Sequence, residues 1–499
     1  MKTNKILAVI VNYSDNQLEY LDKVVSEFES FKDFEVDIII HSNIELQILE
    51  QQYNNVKVNV IDDLDDYEKL PFTTRKTIYD NRDNYDFFIY NENDHLFKES
   101  HIKSFIEVQK SLPGNYIAGH IQYEEYDEGY FYPAYHAHYG WDISSVEKFG
   151  DYIVAEFTNK HQASFLLNKS QLHTVINRID FLEDTIRDGY NIKPRAGTTP
   201  YTSAGFKKVI PVSHFKDFML HHLPNKYKDH IGDYERQMGK FDDVMQNDLK
   251  VLISRGNRKI EVFVRHCNFS ENSVGKTRLP SFTRELCYHN LKRTSSSDSV
   301  NITFMMDGDN VDNHFLKNEN EYKIVTKKGG TDAHSFLNLL EYVREQDFDD
   351  DTIIYLLEDD FFHRDGWDDI MVEGFNQTNA QYLSLYDHKD KYFLPAYKDL
   401  MASIVHTNSC HWRSSPSTVN TYALEFRTFK KHFDVHKHFC DLDRGFTRDH
   451  DKFIHLWKGG SNLITSIPGY STHMEVEYLS PTINWEKLLI KEKDIIGEQ

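Results

Sequence analysis

Apolar runs alternate with amphipathic segments along most of the chain. The apolar runs that we predict as strands are residues 6–11, 34–41, 56–61, 260–265, 300–306 and 322–326. The segments with apolar residues at helical spacing are residues 16–31, 73–81, 100–111, 283–291 and 332–346. Strands that alternate with helices predict parallel sheets with right-handed crossovers. The pattern therefore predicts an α/β fold.

Three segments depart from this alternation. Residues 116–135 are aromatic and acidic without a regular period, and they predict a binding loop. Residues 195–205 carry two glycines, a proline and several hydroxyls, which also predict a loop. Residues 228–259 are strongly charged with a helical period, and we interpret them as an interdomain helix.

The length of the chain predicts two domains. The 499 residues are about twice what one hydrophobic core usually spans. We expect a first domain at residues 1–227, a charged helical linker at residues 228–259 and a second domain at residues 260–499.

One stretch places a strand directly before three carboxylates. Residues 353–357 are aliphatic or aromatic, as in a strand buried on both faces, and Glu358, Asp359 and Asp360 follow. Because side chains alternate along a strand, we expect Glu358 and Asp360 on one side and Asp359 on the other. Such a pair at the carboxyl edge of a parallel sheet suits a divalent cation that bridges substrate phosphates. Acids after a strand also serve simply as helix caps or solvent-facing turns.

An earlier segment repeats this pattern. Residues 85–91 form an apolar and aromatic run that leads into Glu92, Asn93 and Asp94. Aligned with the later triplet, the repeat keeps the two carboxylates expected to share a side and changes only the middle residue. This is the pattern of a duplicated site.

Charge and composition exclude several classes of protein. The net charge of −22 argues against general binding to nucleic acid or to anionic membrane. No run approaches the roughly 18 apolar residues of a membrane span. The four cysteines have neither metal-ligand spacing nor the pattern of a disulfide framework, so we expect reduced thiols in a cytoplasmic protein.

Four segments of the second half carry a resemblance to a known family. These are Leu-Glu-Asp-Asp-Phe at residues 357–361, Trp-Arg-Ser-Ser-Pro-Ser at 412–417, Asp-His-Asp at 449–451 and Pro-Gly-Tyr-Ser-Thr-His at 468–473. Together they resemble glycosyltransferases of the GT-A fold, and are most similar to bacterial and viral members near family two. The first half resembles them more loosely, through residues 91–94, 161–167 and 221–227. The resemblance implies two GT-A domains in tandem.

The resemblance also implies roles for individual residues. Metal binding falls to Asp360, His473, Asp94 and His222. Donor binding falls to Glu358, Asp359, Asp307, Glu92 and Arg265. The base that accepts the proton of the acceptor hydroxyl is Asp449, with Asp451 in reserve, and Asp184 is the candidate in the first half. From the bare sequence, residues 448–451 are equally the acidic start of an exposed helix.

Sugar transfer explains these residue types. A divalent cation, Mn²⁺ or Mg²⁺, stabilises the charge of the leaving diphosphate, and a carboxylate takes the proton of the incoming hydroxyl. We therefore expect a bifunctional transferase that uses UDP- or GDP-sugars and a glycan acceptor. Three alternatives remain: a single active second domain with a binding or structural first domain, a metal-dependent phosphohydrolase, and a carbohydrate-binding protein.

Overall fold

The computed structural model describes residues 4–132, 140–187, 189–225, 239–240, 246–296 and 298–497. They form a mixed α/β fold, which confirms the predicted class. The chain divides into two compact units, Met1–Gly256 and Asn257–Gln499.

The first unit combines two five-stranded sheets and one four-stranded sheet with their helices. Its strands are β1 (Asn4–Asn12), β2 (Phe34–Ser42), β3 (Val56–Val60), β4 (Phe87–Glu92), β5 (His95–Leu96), β6 (Tyr116–Ala118), β7 (Ile121–Tyr126), β8 (Gly129–Tyr132), β9 (Trp141–Phe149), β10 (Tyr152–Phe157), β11 (Ser164–Asn168), β12 (Lys207–Pro211), β13 (Met219–His222) and β14 (Gly239–Lys240). Its helices are α1 (Leu18–Glu29), α2 (Gln47–Gln52), α3 (Leu70–Asp80), α4 (Glu99–Ser111), α5 (Lys169–Arg178), α6 (Ile192–Thr202) and α7 (Gln246–Gly256).

The five-stranded sheet that contains β1 has the order β3-β2-β1-β4-β11. The first four strands are parallel, and β11 is antiparallel to β4. The strand β1 lies at the centre, and its residues from Ile6 to Val11 are buried, as in a strand that is covered on both faces of its sheet. The carboxyl ends of β1 and β4 therefore meet at one edge, where Glu92 lies beside Val11.

Two predicted loops of the first unit are wrong. Within residues 116–135, the described part forms β6, β7 and β8, because its aromatic and branched residues pack as strands and Ile117 and Ile121 are buried. Residues 195–205 contain most of α6. Pro200 cannot donate a backbone hydrogen bond to the carbonyl of Ala196, and the buried guanidinium of Arg75 donates to that carbonyl instead, at 3.0 Å.

The predicted interdomain helix is only partly described. Residues 228–238 and 241–245 lie outside the described residues. The described part contains β14 and α7, and the buried Leu252 of α7 packs with Val146 of β9 and Ile153 of β10. The helix α7 is therefore part of the first unit and is not a free linker.

The second unit is built around one large sheet. Its strands are β15 (Ile260–Cys267), β16 (Val300–Asp307), β17 (Lys323–Lys327), β18 (Ile353–Glu358), β19 (Phe361–His363), β20 (Tyr382–Ser384), β21 (Ile404–His406), β22 (His411–Ser414), β23 (Tyr422–Glu425), β24 (Cys440–Asp441), β25 (Phe446–Thr447), β26 (Leu463–Ile467) and β27 (Ser471–His473). Its helices are α8 (Glu271–Val274), α9 (Arg284–Thr294), α10 (Asp332–Arg344), α11 (Trp367–Gln377), α12 (Asp390–Phe393), α13 (Phe426–His438), α14 (Asp449–Lys458) and α15 (Trp485–Gly497).

Five strands of this sheet repeat the order of the first unit. The nine-stranded sheet has the order β17-β16-β15-β18-β23-β20-β26-β22-β21. Strands β15 to β18 pair in parallel, and β23 is antiparallel to β18. The strands β17, β16, β15, β18 and β23 thus correspond to β3, β2, β1, β4 and β11. In both units the acidic segment follows the fourth strand of the parallel set.

The strand β18 is buried on both faces, as predicted. Ile353, Tyr355 and Leu357 belong to one hydrophobic cluster, and Ile354 and Leu356 belong to another. Alternate residues of the strand therefore contact different layers of the fold, and the polar residues begin where this burial ends.

From the sequence we predict no segment that spans a membrane. Among the described residues, no helix combines the length and the hydropathy needed to cross a membrane.

Candidate active sites

The acidic triplet lies at the carboxyl edge of the large sheet. Glu358 is the last residue of β18, and it lies beside Arg265 of β15 in the parallel register. The Arg265 guanidinium donates to Glu358 Oε1 at 2.9 Å and to Asp332 Oδ1 at 3.0 Å. Burial raises the pKa of Glu358, although Arg265 opposes the shift. Two of the predicted donor-binding residues, Glu358 and Arg265, are therefore in direct contact.

Asp332 joins this group from the start of α10. Its second oxygen, Oδ2, accepts hydrogen bonds from the backbone N–H and the hydroxyl of Thr447, at 3.2 and 3.1 Å. The helix itself begins as predicted, because the hydroxyl of Thr331 accepts from the N–H of His334. From the sequence we assign Asp332 no role in the site, and the structure adds it through these contacts.

The middle acid of the triplet has a separate set of partners. Asp359 Oδ1 accepts from Arg284 Nε at 3.0 Å, and Oδ2 lies 3.6 Å from His266 Nδ1. Burial and the neighbouring Asp360 raise the pKa of Asp359 above its ordinary value. Asp359 thus contacts neither the partner of Glu358 nor those of Asp360, in line with the predicted alternation.

Asp360 is held against a histidine from a distant strand. The strands β19 and β27 are antiparallel, with Phe361 opposite His473, and His473 Nε2 lies 3.0 Å from Asp360 Oδ2. The same oxygen accepts from Arg278 Nη2 at 2.7 Å, and Lys276 Nζ lies 3.3 Å from His473 Nε2. Burial opposes ionisation of Asp360, but His473 and Arg278 outweigh it and lower its pKa. The structure therefore joins the predicted pair and adds two cations to it.

The two acids at the start of α14 differ in environment. The side chain of Asp449 is 23% exposed, and its Oδ1 lies 3.3 Å from Nζ of the fully buried Lys452. Burial raises the pKa of Asp449, with Lys452 opposing and Asp332 assisting the shift. Asp451 is 58% exposed and lies 3.8 Å from Arg448. Asp449 therefore has the properties of a site residue, and Asp451 those of a surface residue.

Asp307 lies at the end of β16, where it binds a glycine turn. Its carboxylate accepts from the backbone N–H of Gly329 at 2.7 Å and of Gly330 at 3.2 Å. The Asp307 side chain thus binds the two backbone N–H groups of this glycine turn. Its predicted donor-binding role stays a prediction.

In the first unit, the predicted pair gains a second histidine. Asp94 Oδ1 lies 2.6 Å from His95 Nδ1, and Asp94 Oδ2 lies 3.6 Å from His222 Nε2. One ligand atom from each of these buried residues lies within 4.8 Å of the others. His222 Nδ1 contacts Glu124 Oε1 at 2.7 Å, and Glu124 is fully buried. Burial lowers the pKa of His222, but Asp94 and Glu124 outweigh it and raise it.

The other candidates of the first unit are Glu92 and Asp184, and Asn93 is the middle residue of the acidic segment. Glu92 ends β4 and is partly buried. Asn93 donates to Asn12 Oδ1 at 2.7 Å, so it faces β1 and contacts a different neighbour from Asp94. Asp184 accepts from Arg195 Nη2 at 2.5 Å and from Nε at 2.9 Å. Asp184 lies in an irregular segment, where its carboxylate fixes Arg195 of α6.

The two units differ in how well their residues suit a divalent cation. Two imidazoles and a carboxylate, with a further carboxylate behind one imidazole, fit a metal centre in the first unit. In the second unit, Arg278 already contacts Asp360 Oδ2 and Lys276 already contacts His473 Nε2, the atoms that would bind an ion. The metal role of Asp360 and His473 therefore stays a prediction that this arrangement does not favour.

Several residues of these sites carry weak signals in the sequence. His95 directly follows Asp94, and this adjacency of acid and imidazole was its one local signal. Glu124, Lys276 and Arg278 lie in segments without a regular period, and only the tertiary fold brings them to the acids. Their approach could not be derived from local spacing.

Comparison with known proteins leaves the family open. No protein-family model matches the chain, and no curated protein matches it. The chain is similar to a solved structure of CMP:2-keto-3-deoxy-manno-octonic acid synthetase complexed with CTP. The identity is 12%, the TM-score is 0.29, and the likeness covers 47% of this chain and 99% of that chain. A likeness of this size assigns no function to the chain.

Proposed function

We propose that the chain is a glycosyltransferase with one GT-A-like site in each unit, which moves hexosyl or pentosyl groups from UDP- or GDP-sugars to a growing glycan. The main support is an arrangement that occurs twice. An aspartate just after the fourth parallel strand is paired with a histidine of a late strand, as Asp94 with His222 and Asp360 with His473. A protein that only binds carbohydrate does not require two such buried ionic pairs at the carboxyl edges of its sheets.

In the second unit, Asp449 acts as the base. The acceptor hydroxyl oxygen forms a bond to the anomeric carbon, the bond from that carbon to the diphosphate oxygen breaks, and the hydroxyl proton passes to the Asp449 carboxylate. A partly buried carboxylate with a raised pKa suits this task, because its basicity is greater than that of a fully exposed aspartate. Lys452 holds the carboxylate in place from the next turn of α14.

The donor lies over the triplet in this proposal. Glu358 accepts hydrogen bonds from the ribose or the sugar of the donor, and Arg265 fixes the Glu358 side chain from the neighbouring strand. Asp359 supports the site indirectly, through its ion pair with Arg284. In the first unit, Glu92 takes the position of Glu358.

A divalent cation, Mn²⁺ or Mg²⁺, supplies Lewis-acid stabilisation of the leaving diphosphate when it is bound. Asp94, His95 and His222 are the residues of this chain that would hold it.

A second candidate function is a single transferase, with only the second unit active. It is favoured by Asp184, which was the predicted base of the first unit and is held by Arg195 in a two-bond ion pair. In that case the first unit binds donor or acceptor without catalysing transfer.

Release of the leaving group tests the proposed class. The full chain is incubated with single UDP- and GDP-sugars and Mn²⁺ or Mg²⁺, and the products are identified by chromatography. We expect UDP or GDP from at least one donor. Release of inorganic phosphate instead would indicate a phosphohydrolase, and the absence of any release with every donor would favour a binding protein.

Product analysis on a defined glycan acceptor tests the number of activities. Asp94→Ala and Asp360→Ala are each compared with the unaltered chain by mass spectrometry of the glycan. We expect each variant to lack a different sugar. If Asp94→Ala leaves every linkage intact, the second unit is the single transferase.

A further inference from the structure

The strand pairings define which residues of the two units correspond. In the first unit, β5 and β13 are antiparallel with His95 opposite His222. In the second unit, β19 and β27 are antiparallel with Phe361 opposite His473. The aspartates Asp94 and Asp360 each precede this pairing by one residue. His95 therefore corresponds to Phe361, and His222 corresponds to His473.

The first unit has the donor set of a transition-metal site. His95 adds an imidazole where the second unit has a phenyl ring, and its Nδ1 lies 2.6 Å from Asp94 Oδ1. Glu124 contacts Nδ1 of His222, so that the other ring nitrogen, Nε2, faces Asp94. A carboxylate behind a ligating imidazole fixes the ring and increases its basicity as a ligand. Two imidazoles favour transition-metal ions such as Zn²⁺ or Co²⁺ over Mg²⁺, which prefers oxygen ligands.

The second unit places protein cations at the corresponding point. Arg278 Nη2 lies 2.7 Å from Asp360 Oδ2, and Lys276 Nζ lies 3.3 Å from His473 Nε2. Both come from residues 268–283, which connect β15 to α9. The corresponding connection of the first unit, residues 13–17, is much shorter and reaches Asp94 with the neutral amide of Gln17, at 3.4 Å.

In the second unit, Arg278 and Lys276 supply positive charge beside the aspartate, whereas in the first unit a bound metal ion would supply it. A guanidinium and an ammonium pair with phosphate oxygens as a metal ion does, and an arginine can donate two parallel hydrogen bonds to a phosphate. A dication at Asp360 would lie against the charges of Arg278 and Lys276, and this repulsion opposes its binding.

We propose that the first unit binds a divalent transition-metal ion through Asp94, His95 and His222, whereas the second unit is metal-independent and uses Arg278 and Lys276 toward the donor diphosphate. The diphosphate part of this inference rests on the proposed function. The metal part does not, because it concerns residues that are in place without any donor.

Titration of the full chain with Mn²⁺ in the absence of nucleotide tests the metal part. Electron paramagnetic resonance measures free Mn²⁺, and calorimetry gives the number of sites. We expect one ion per chain, displaced by Zn²⁺ and poorly displaced by Mg²⁺. His95→Phe copies the residue of the second unit and should weaken Mn²⁺ binding at least tenfold. His95→Gln keeps a polar side chain and serves as a second variant if His95→Phe does not fold.

The matched control is Asp360→Asn, which should leave the number of bound ions and the affinity unchanged. Two ions per chain, or the loss of one of two ions in Asp360→Asn, would overturn the assignment of the second unit. No bound ion, or unchanged binding in both His95 variants, would overturn the assignment of the first.

Nucleotide binding tests the role of the two cations. We expect Arg278→Met with Lys276→Met to weaken UDP or GDP binding without metal at least tenfold, and unchanged binding would refute this part. Because Mn²⁺ binding is measured without a sugar donor, failure of the metal assignment and failure of the glycosyltransferase proposal give separate results.

Discussion

Replacement of Asp449 by asparagine separates the proposed base from its structural role. The substitution keeps the shape of the side chain and removes its charge. A general base contributes roughly 10²- to 10⁴-fold to a rate, which corresponds to about 3 to 5 kcal/mol of barrier. We expect turnover by the second unit to fall by that factor while donor affinity stays unchanged, since the transition state alone uses the proton transfer.

The Asp449→Asn substitution should also lower the free energy of unfolding. Lys452 is buried, and its ammonium lies 3.3 Å from Asp449 Oδ1, 3.0 Å from Asn420 Oδ1 and 3.5 Å from the Tyr422 hydroxyl. Breaking a fully buried ion pair costs about 3 to 5 kcal/mol. Asp449 is partly exposed and two neutral acceptors remain, so we expect a loss of about 1 to 3 kcal/mol in the free energy of unfolding.

The assay measures kcat and KM against pH, with chemical denaturation on the same samples. Burial raises the pKa of Asp449, so the acid limb of the unaltered chain should lie above the usual range of an aspartate and should vanish in Asp449→Asn. Asp451→Asn is the matched control, because Asp451 is exposed on the same helix, and it should change neither kcat nor stability. Turnover within tenfold of the unaltered chain, or an equal loss in Asp451→Asn, would refute the assignment of the base.

Three further predictions concern the fold around the sites. Arg265→Met leaves Glu358 and Asp332 without their shared cation and should lower the free energy of unfolding by about 2 to 4 kcal/mol; chemical denaturation measures this, and a loss under 1 kcal/mol would show that the pair of ionic bonds is not stabilising. For Glu319, burial opposes ionisation, but hydrogen bonds from Tyr288, the Glu321 N–H and Lys292 outweigh it and lower its pKa from 4.5 to about 2; this carboxylate stabilises the fold above the unfolded-state value, and that contribution is lost as pH falls from 4.5 towards 2. Glu319→Gln should therefore differ from the unaltered chain in thermal unfolding at pH 6 and approach it at low pH, and a constant difference would contradict the linkage. Expressed separately, residues 1–256 and 257–499 should each unfold in a cooperative transition followed by circular dichroism, and failure of either to do so would show that the units depend on each other.

Local pattern was sufficient for the parallel strands of both units and for the acids that follow β4 and β18. The strand β18 and the carboxylates after it could be predicted from the sequence, because a strand that is buried on two faces contains no polar residue. The helix α6 could not be predicted from the sequence, because Pro200 and Gly197 disfavour a helix locally. The distant Arg75 supplies the hydrogen bond to the Ala196 carbonyl that Pro200 cannot donate. The cations at Asp360 were missed for a related reason. Lys276 and Arg278 lie in a connection without a period, and where such a connection reaches depends on the whole fold.

The assignment of metal ligands shows the same limit more sharply. The sequence treated the two acidic segments as equal sites, since Glu92 and Asp94 repeat the spacing of Glu358 and Asp360. The difference between the sites lies in what other elements bring to them, and the residues involved are His95 with its partner strand in one unit and Arg278 in the other. A repeated motif therefore predicts a repeated backbone, but it does not predict the charge that surrounds it.

The pairing of β19 with β27 also has a consequence for the order of synthesis. Asp360 and His473 are 113 positions apart in the chain, whereas the first unit contains all of its corresponding residues by His222. A nascent chain can therefore complete the first site while most of the second unit is still untranslated. A chain that stops before residue 471 keeps three adjacent carboxylates and has no imidazole to pair with Asp360. Such a product keeps Arg278 beside Asp360 but lacks the strand β27 that pairs with β19, and incomplete translation thus yields a molecule with one complete site and an incomplete second site.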